Sequence, residues 1–588
     1  MAQHAFDRYQ LERGLDRPQI AAIAFSGTIG IGIFVTSGEL IAISGPVGCV
    51  IAYIWAGLII TGVMRSLAEM VSVRPVSGAL LDYPHVFIDE AAGFSVGVIY
   101  CTSMAYLTAA AARAADNFPS NGNGISQKGI IGIIVGLCVI TTLSNICGVR
   151  LYGNIERVVM IFKILLLVGV CVLMICIKAG AGVAYQMPPV HETVHELIAR
   201  SQNGYAEAIV PYFRFTRYST LLDLTQGGIG TGISGSWGQF LAMWLSTVLA
   251  MFSCMGGDLV IVAAGEARYP RQDLPKVAQF MYLVPLGFYV LATILLGMNI
   301  NFLDPRLYHL FESNAEAGPK LPHSPFIIVA ARSSIKVLPN FLNACFLMSA
   351  YTAGNTGLFV SSRTLFSTCH LYGNKWLKTT FGTTNNGHTP INAIFACAAF
   401  GLLTFLDLYD TTFEQPILTL ASFFTGGVSC VYATECIAYL RFYWGITQLH
   451  SEYLDRDSDE YQQRHYRAHW QPLCAIFALF GLIMVILSSG WPSIYLLIKR
   501  NSLSTKDQLK SPSRLAADVV GAYSGSLLYL VLFIGYKSIY KTSFRRLRDF
   551  EDKYRMPEFD NEMPRQWRGW FREAVSYFIV DNNRSNRA

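Results

Sequence analysis

The stretch that decides the fold is Ile23–Glu39, which reads IAFSGTIGIGIFVTSGE. It lies in an apolar segment long enough to span a membrane, yet it carries the glycines Gly27, Gly30, Gly32 and Gly38. Glycine is one of the weakest helix formers. Lipid offers the backbone no water to replace a lost hydrogen bond. Glycines at this place therefore need a reason other than helix stability.

The composition places the chain among membrane proteins. Of its 588 residues, 52% are hydrophobic and only 14% are charged, whereas soluble globular proteins carry about 25% charged residues. Apolar runs such as 158–177 and 280–298 approach the ~20 residues needed to cross the hydrocarbon core of a bilayer. The sequence therefore predicts an all-α polytopic membrane protein.

The same composition argues against other classes of protein. The net charge of +6 sits at span ends and in loops, without a long basic run, so we expect no nucleic acid partner. The 13 cysteines lie in or beside apolar segments and lack CxxC spacing, which predicts neither disulfides nor a metal site. The chain has no HExxH motif, no nucleophile elbow and no acid pair at catalytic spacing. We therefore expect no enzyme and no cofactor.

Hydropathy predicts twelve spans. They lie at about 20–43, 46–70, 92–117, 129–147, 154–178, 237–262, 277–300, 338–367, 390–408, 413–440, 471–490 and 514–537. The predicted organisation is a short tail (1–19), five spans (20–178), a long outer loop (179–236), five more spans (237–440), a charged link (441–470), two further spans (471–540) and a second tail (541–588).

Positive charge predicts the orientation of the spans. The last span ends beside a basic cluster made of Lys537, Lys541, Arg545, Arg546 and Arg548. Such clusters mark the cytoplasmic side, and an even number of spans puts both termini there. A second basic group would then face outside; it consists of Lys499, Arg500, Lys506 and Lys510.

The sixth predicted span is also interrupted. Residues 251–265 read MFSCMGGDLVIVAAG, with Gly256, Gly257 and Asp258 inside an apolar helix. Two interrupted spans in corresponding positions are typical of transporters built from two repeats around a binding site. Unwound helix ends expose N–H groups that can hold a carboxylate and carbonyls that can hold an ammonium, which suits an amino acid. Alternatively, the small residues only let helices pack closely.

Further motifs occur in a fixed order along the chain. They are SGTIGIGIF (26–34), SLAEM (66–70), RPVSGAL (74–80), FIDEAAGFSVG (87–97), GVRLYGNIE (148–156), FSCMGGDLVIVAAGEARYPRQDLPK (252–276) and the segment 324–367. This ordered set resembles the amino acid–polyamine–organocation transporters, and especially the fungal amino acid permeases. The resemblance extends over residues 11–541.

The resemblance implies a leucine-transporter-like fold, with a 5+5 inverted repeat plus two extra helices and with helices 1 and 6 discontinuous. It implies a secondary transporter that imports L-amino acids across the plasma membrane by proton symport, with the amino acid, protons and membrane lipids as partners. The residues implied for the substrate carboxylate are Thr28, Ile29, Gly30, Ile31 and Gly32. Those implied around the substrate ammonium are Phe252, Ser253, Cys254, Met255, Gly256 and Asp258.

Several ionisable side chains fall within the predicted spans. Lys163 lies deep in the fifth span, where an unpaired charge is costly. It is a candidate for proton coupling, and the alternative is a lysine that snorkels to the interface. Asp258 either relays protons or is a structural carboxyl, and it stands where the family usually has glutamate. Glu435, in the tenth span, is open between substrate choice, a basic partner and a water-filled vestibule.

Two other acids lie at predicted span ends. We expect Glu69 beside Arg65 and Glu266 beside Arg268 to be solvated, and an internal gate of ion pairs is the alternative. The eighth span carries a polar stripe, expected mainly to hydrogen-bond between helices; it contains Ser349, Thr352, Asn355 and Ser361.

Two other functions remain open at this stage. One is transport of a related amine or a GABA-like solute, and the other is a receptor that binds an amino acid without transporting it. The sequence leaves open which amino acid is carried and the oligomeric state.

Overall fold

The computed structural model describes residues 11–30, 32–113, 127–180, 218–219, 233–280, 283–300, 307, 324–331, 333, 335, 337–385, 388–401, 416–449, 456–499 and 512–546.

The first predicted span is interrupted where its glycines lie. Helix α1 (Arg17–Thr28) and helix α2 (Gly32–Val73) are separated by residues 29–31, which we call the first break. Within α2, Gly45 has φ 73°, a conformation that glycine adopts at little cost. Gly45 precedes Pro46 and kinks α2 between the first and second spans. The helices that follow are α3 (Ala79–Phe87), α4 (Glu90–Arg113), α5 (Gln127–Ile146) and α6 (Val149–Lys178).

The sixth predicted span is interrupted as well. A short antiparallel pair, β1 (Tyr218–Ser219) and β2 (Ile233–Ser234), leads into α7 (Gly235–Cys254). Residues 255–258, the second break, separate α7 from α8 (Leu259–Val262). Gly256 has φ 118° there, which other residues rarely adopt. Both interruptions predicted from the glycines are therefore present.

The remaining helices form the second half of the protein. They are α9 (Pro270–Phe280), α10 (Leu283–Gly297), α11 (Pro325–Ala330), α12 (Leu338–Tyr372), α13 (Lys375–Thr380), α14 (Ile391–Ala399), α15 (Pro416–Leu449), α16 (Asp459–Arg464), α17 (Leu473–Ser488), α18 (Trp491–Lys499) and α19 (Pro512–Tyr540). Helix α7 packs along α2, α12 packs along α4, and α15 packs against α4, α17 and α19.

Length and hydropathy show a multi-pass membrane protein. Within the described ranges, six helical segments are long and apolar enough to cross a membrane: Thr36–Val73, Val149–Lys178, Ser236–Gly265, Pro270–Gly297, Ser422–Thr447 and Leu515–Tyr540. The total of twelve spans stays a prediction. Helix α15 continues to Leu449, past the end at residue 440 expected for the tenth span.

The two breaks face each other. A Cβ atom added to Gly256 would lie 3.3 Å from the carbonyl oxygen of Gly27, and one added to Gly32 would lie 2.8 Å from the Cα of Ser253. Glycine at 32 and 256 therefore lets two stretches of main chain approach more closely than side chains would allow. This contact places the end of α1, the start of α2 and the end of α7 around one point.

The sequence predicts that Glu69, near the end of α2, is solvated, but in the structure it is not. Its side chain is completely buried and pairs with Arg456, at 2.7 Å between Oε1 and Nε, rather than with Arg65. The hydroxyl of Tyr439 and the backbone N–H of Ala468 also donate to Glu69. Burial by itself would lower the pKa of Arg456. The hydrogen bonds to Glu69 and the negative charge of Glu69 together have the larger effect, and they raise that pKa. The link after α15 thus folds back and covers this carboxylate.

Glu266, just after α8, is also buried rather than solvated. It pairs with Arg363 of α12, at 3.2 Å between Oε1 and Nε, and both side chains are almost fully enclosed. Arg268, the partner expected from sequence proximity, instead pairs with Asp16 at 3.1 Å. Both predictions of solvated span ends were wrong, because helix packing brings in basic residues from distant parts of the chain.

Residues 11–16, the N-terminal segment, lie against the residues that follow α8. The backbone carbonyl of Glu266 accepts the N–H groups of Gly14 at 3.0 Å and Leu15 at 2.9 Å. The N–H of Arg268 donates to the carbonyl of Leu15 at 3.0 Å. The approach to α1 is therefore tied by main-chain hydrogen bonds to the end of the sixth span.

We expect Arg456→Met to lower the free energy of unfolding by about 3–5 kcal/mol, because it leaves Glu69 buried without its cation. The double variant Glu69→Leu/Arg456→Met should recover most of that loss. Arg467→Met, which removes an exposed pair with Asp457 in the same link, should cost less than about 1 kcal/mol. Unfolding of the purified protein in detergent measures all three, and equal losses for Arg456→Met and Arg467→Met would contradict the prediction.

Candidate functional site

A small cavity of about 30 Å³ lies between the two breaks. Its lining comes from α1, α2, α4, α7, α8, α12, α15 and the breaks, and consists of Gly27, Thr28, Gly30, Gly32, Met104, Phe252, Ser253, Met255, Gly256, Leu259, Ala353, Thr356, Gly357 and Phe424. None of these side chains is charged. The polar character of the cavity is confined to three hydroxyl side chains and the backbone of the breaks.

The carbonyl groups at the first break are held by protein side chains. The Nζ atom of Lys163 lies 2.5 Å from the carbonyl oxygens of both Ser26 and Ile29. The hydroxyl of Tyr289 donates to the carbonyl of Thr28 at 2.8 Å. The N–H groups at the start of α2 have no intrahelical partners, and Gly32 at that start lines the cavity. The first break therefore offers the cavity the positive end of a long helix.

The second break presents the opposite end of a helix. Helix α7 ends at Cys254, and its last carbonyls carry partial negative charge. Phe252 and Ser253, in its final turn, line the cavity. The hydroxyl of Ser253 lies 3.0 Å from that of Thr36 on α2, which joins the two half-helices on one side of the cavity. The cavity thus faces the N-terminus of α2 and the C-terminus of α7, and the end of α1 and the start of α8 also contribute to its lining.

Not every residue expected at the site lines this cavity. Thr28, Gly30, Gly32, Phe252, Ser253, Met255 and Gly256 line it. Ile29, Cys254 and Asp258 do not, because their side chains are buried in the surrounding helix packing. Ile31 lies outside the described residues.

Asp258 is held behind the second break by two tyrosines. Its carboxylate accepts hydrogen bonds from the hydroxyl of Tyr100 on α4 and, at 2.6 Å, from that of Tyr432 on α15. The backbone N–H of Gly256 donates to the same Tyr432 hydroxyl at 3.4 Å. Asp258 therefore fastens the second break to α4 and α15. Neither tyrosine was anticipated from the sequence, because both come from distant helices.

Lys163 is buried in protein rather than snorkelling to the interface. It has no exposed surface, whereas Leu165, two residues later on α6, is 66% exposed. Glu156 lies two helical turns before Lys163 on the same face and is also fully buried. Electrostatic interaction links the two side chains. A buried amine and a buried carboxyl therefore lie directly behind the first break.

Sequence reasoning missed Glu156, and the structure connects it to the cavity. Its Oε1 atom accepts the amide of Asn355 at 3.1 Å and the hydroxyl of Thr356 at 3.4 Å. Thr356 itself lines the cavity. The seven-residue spacing from Lys163 was the signal that could have found Glu156.

The polar stripe of α12 is partly used between helices, as expected. The side-chain oxygen of Asn355 accepts hydrogen bonds from Ser144 at 2.7 Å and from Asn145 at 3.0 Å, both on α5. Met104 and Phe424 also line the cavity but were not anticipated. Phe424 packs edge-on against Phe252, with 5.6 Å between ring centroids.

Comparison with known proteins identifies the family. The family model described as "Amino acid permease" matches residues 19–549. The basic amino-acid permease of Saccharomyces cerevisiae is 26% identical over 91% of this chain and 82% of its own. The proline-specific permease of Emericella nidulans is 27% identical over 97% of this chain and 93% of its own.

A relative of another kind is also similar. The SPS-sensor component SSY1 of Saccharomyces cerevisiae is 24% identical over 97% of this chain and 68% of its own length. The family model nevertheless matches nearly the whole chain, and the described helices include six that can cross a membrane. The chain therefore belongs to the amino acid permease family, whose members are polytopic membrane transporters.

Proposed function

We propose that this protein imports L-amino acids across the plasma membrane by proton symport with alternating access, on a twelve-span, 5+5 inverted-repeat fold with both termini cytoplasmic. The observation that carries the proposal is the cavity between two facing helix breaks, with the N-terminus of α2 at the first break and the C-terminus of α7 at the second. Such a pair complements the two charged groups that all α-amino acids share. The permease relatives support the same substrate class.

In this proposal the main chain binds both ends of the substrate. Amide groups around the first break, in residues 28–32, hold the carboxylate. Carbonyls of residues 252–255 hold the ammonium, and Phe252 closes over the substrate together with Phe424. The cavity wall between these groups is mainly apolar, with Met104, Met255 and Leu259. We infer that the side chain carried is neutral, because none of the described lining side chains is charged and could pair with a charged substrate side chain.

Lys163 and Glu156 couple the proton in this proposal. A protonated Lys163 can donate to the carbonyls of Ser26 and Ile29 and compensate the charge of Glu156. When the proton leaves, Lys163 on α6 no longer carries the positive charge that attracts the carbonyl groups of the first break. Helix α1 is then free to change its position relative to α6. Loading and release of one proton thus alternate with movement of the half-helix that borders the substrate.

A second function, amino acid sensing without transport, is favoured only by the similarity to the SPS-sensor component. Proteoliposomes that contain the purified protein separate the two. We expect a labelled neutral amino acid to accumulate when the interior is alkaline, and unlabelled neutral amino acids to compete better than lysine, glutamate or GABA. Saturable binding without uptake would support the sensor, and uptake that ignores the pH gradient would contradict proton symport.

We expect Lys163→Ala to lower accumulation driven by a pH gradient while leaving substrate binding nearly unchanged. With a gradient of about one pH unit, each coupled proton supports about tenfold accumulation, because one unit corresponds to about 1.4 kcal/mol. The variant should therefore accumulate about tenfold less substrate than wild type. Lys178→Ala, at the exposed end of the same helix, is the matched control and should accumulate substrate normally. Normal accumulation by Lys163→Ala would remove the lysine from the mechanism.

We expect Gly30→Val to weaken substrate binding by about 100-fold or more, since each hydrogen bond to a charged group contributes about 1.5–3 kcal/mol. Gly30 lines the cavity, and a Cβ atom there would already lie 3.0 Å from the Cβ of Ala353. Gly169→Val is the control, because a Cβ at that position on α6 meets nothing within 4 Å. Equilibrium binding of labelled substrate in detergent provides the measurement, and equal affinity in both variants would place the carboxylate elsewhere.

A further inference from the structure

Glu435, on α15, differs from the other buried acids. Its side chain has no exposed surface, and neither carboxyl oxygen has a hydrogen-bond partner in the part of the chain that the structure describes. Five other described carboxyls that are fully or almost fully buried each accept at least one hydrogen bond from a side chain; they are Glu69, Asp89, Glu156, Asp258 and Glu266. In the described part of the chain, therefore, no hydrogen bond stabilises a negative charge on Glu435.

The titratable groups around Glu435 also disfavour a negative charge on its carboxyl group. Six titratable side chains interact electrostatically with Glu435. They lie on α3, α4, the second break, α15 and α19, and they are Asp82, Tyr83, Tyr100, Asp258, Cys436 and Tyr529. Two of them are acids and none is a base. Asp82 already pairs with Arg74, and both oxygens of Asp258 are held by tyrosines. Among the described residues, a charge on Glu435 would face Asp258 with no compensating cation.

Burial of an unpaired carboxylate within a membrane protein is costly. A neutral carboxylic acid avoids that cost, and it can ionise only when a rearrangement admits water or a donor. The two protonation states of Glu435 therefore favour different conformations of the helices around it. A group of this kind links proton binding to conformational change.

The position of Glu435 suits a proton and not a larger ion. It lies one helical turn after Tyr432, which bonds both Asp258 and the backbone N–H of Gly256, and Gly256 lines the cavity. On its other side it acts on Asp82 and Tyr83 of α3, in the link between spans predicted to face the cytoplasm. Glu435 itself does not line the cavity, so a cationic substrate side chain cannot reach it in this conformation.

We propose that Glu435 is a proton-binding site of the transport cycle, separate from Lys163, between the second break and α3. One proton binds a carboxylate oxygen when the cavity opens to the outside and leaves as hydronium when the α3 side opens to the cytoplasm. Only the O–H bond forms and breaks. This inference rests on the proposed function of proton-coupled amino acid import.

The test compares wild type, Glu435→Gln and Glu435→Asp in proteoliposomes, with reversal potentials giving the number of protons moved per substrate. We expect Glu435→Gln, which resembles the protonated acid, to retain binding and substrate exchange but to move one proton fewer. At a gradient of about one pH unit this lowers accumulation about tenfold. Glu435→Asp should keep the wild-type ratio. Glu39→Gln, a change of the same type in α2 and away from the cavity lining, is the control and should also keep it.

An unchanged proton ratio in Glu435→Gln would overturn the proposal, and so would a loss confined to binding of cationic amino acids. If wild type moved no protons, the proposed function itself would fail, so the two failures are distinguishable. Infrared difference spectra of wild type between acid and alkaline pH provide a test that does not depend on folding of the glutamine variant. We expect the band of a protonated buried carboxyl, and Glu435→Asp should shift its frequency. Absence of that band in wild type would also overturn the proposal.

Discussion

Main-chain polar groups that a helix cannot satisfy are the constraint on which this structure depends. Between Thr28 and Gly32, and again between Cys254 and Leu259, the helices are interrupted inside an apolar helix bundle. Each unsatisfied backbone group in such surroundings costs several kcal/mol. The breaks persist because side chains from other helices reach them. Lys163 and Tyr289 bond the carbonyls of the first, and Tyr432 bonds an N–H of the second.

This constraint separates polar and apolar groups into layers. The side chains that satisfy the breaks approach from behind and are anchored in turn by buried partners, as Lys163 is by Glu156 and Tyr432 by Asp258. The space in front of the breaks is lined by apolar side chains, glycine and three hydroxyl side chains, without a charged group among the described lining residues. A solute in the cavity consequently meets oriented backbone dipoles rather than side-chain charges, which preorganises the cavity for the groups that all amino acids share.

The local features of this protein could be predicted from its sequence, and its long-range pairs could not. The glycine clusters predicted both helix interruptions, because a glycine-rich stretch inside an apolar helix has few physical explanations. The depth of Lys163 within its span predicted that this side chain is buried. The partners of Glu69 and Glu266 were wrongly expected among neighbouring residues, because periodicity describes one helix at a time. Arg456 is 387 residues from Glu69, and only tertiary packing brings the two together. Most of the missed cavity residues, Phe424 among them, also come from helices whose order in space the sequence does not specify.

The bonds between the N-terminal segment and Glu266 have a consequence for biosynthesis. Gly14 and Leu15 leave the ribosome long before the main chain that they bond, which follows α8. Arg363, which holds the Glu266 side chain, comes later still. Since chains are made from the N-terminus at about 5–20 residues per second, the start of α1 waits about 13–50 s for its partner. Helix α1 thus reaches these contacts only after the sixth span has been made, and a chain truncated before that span would leave this segment without them.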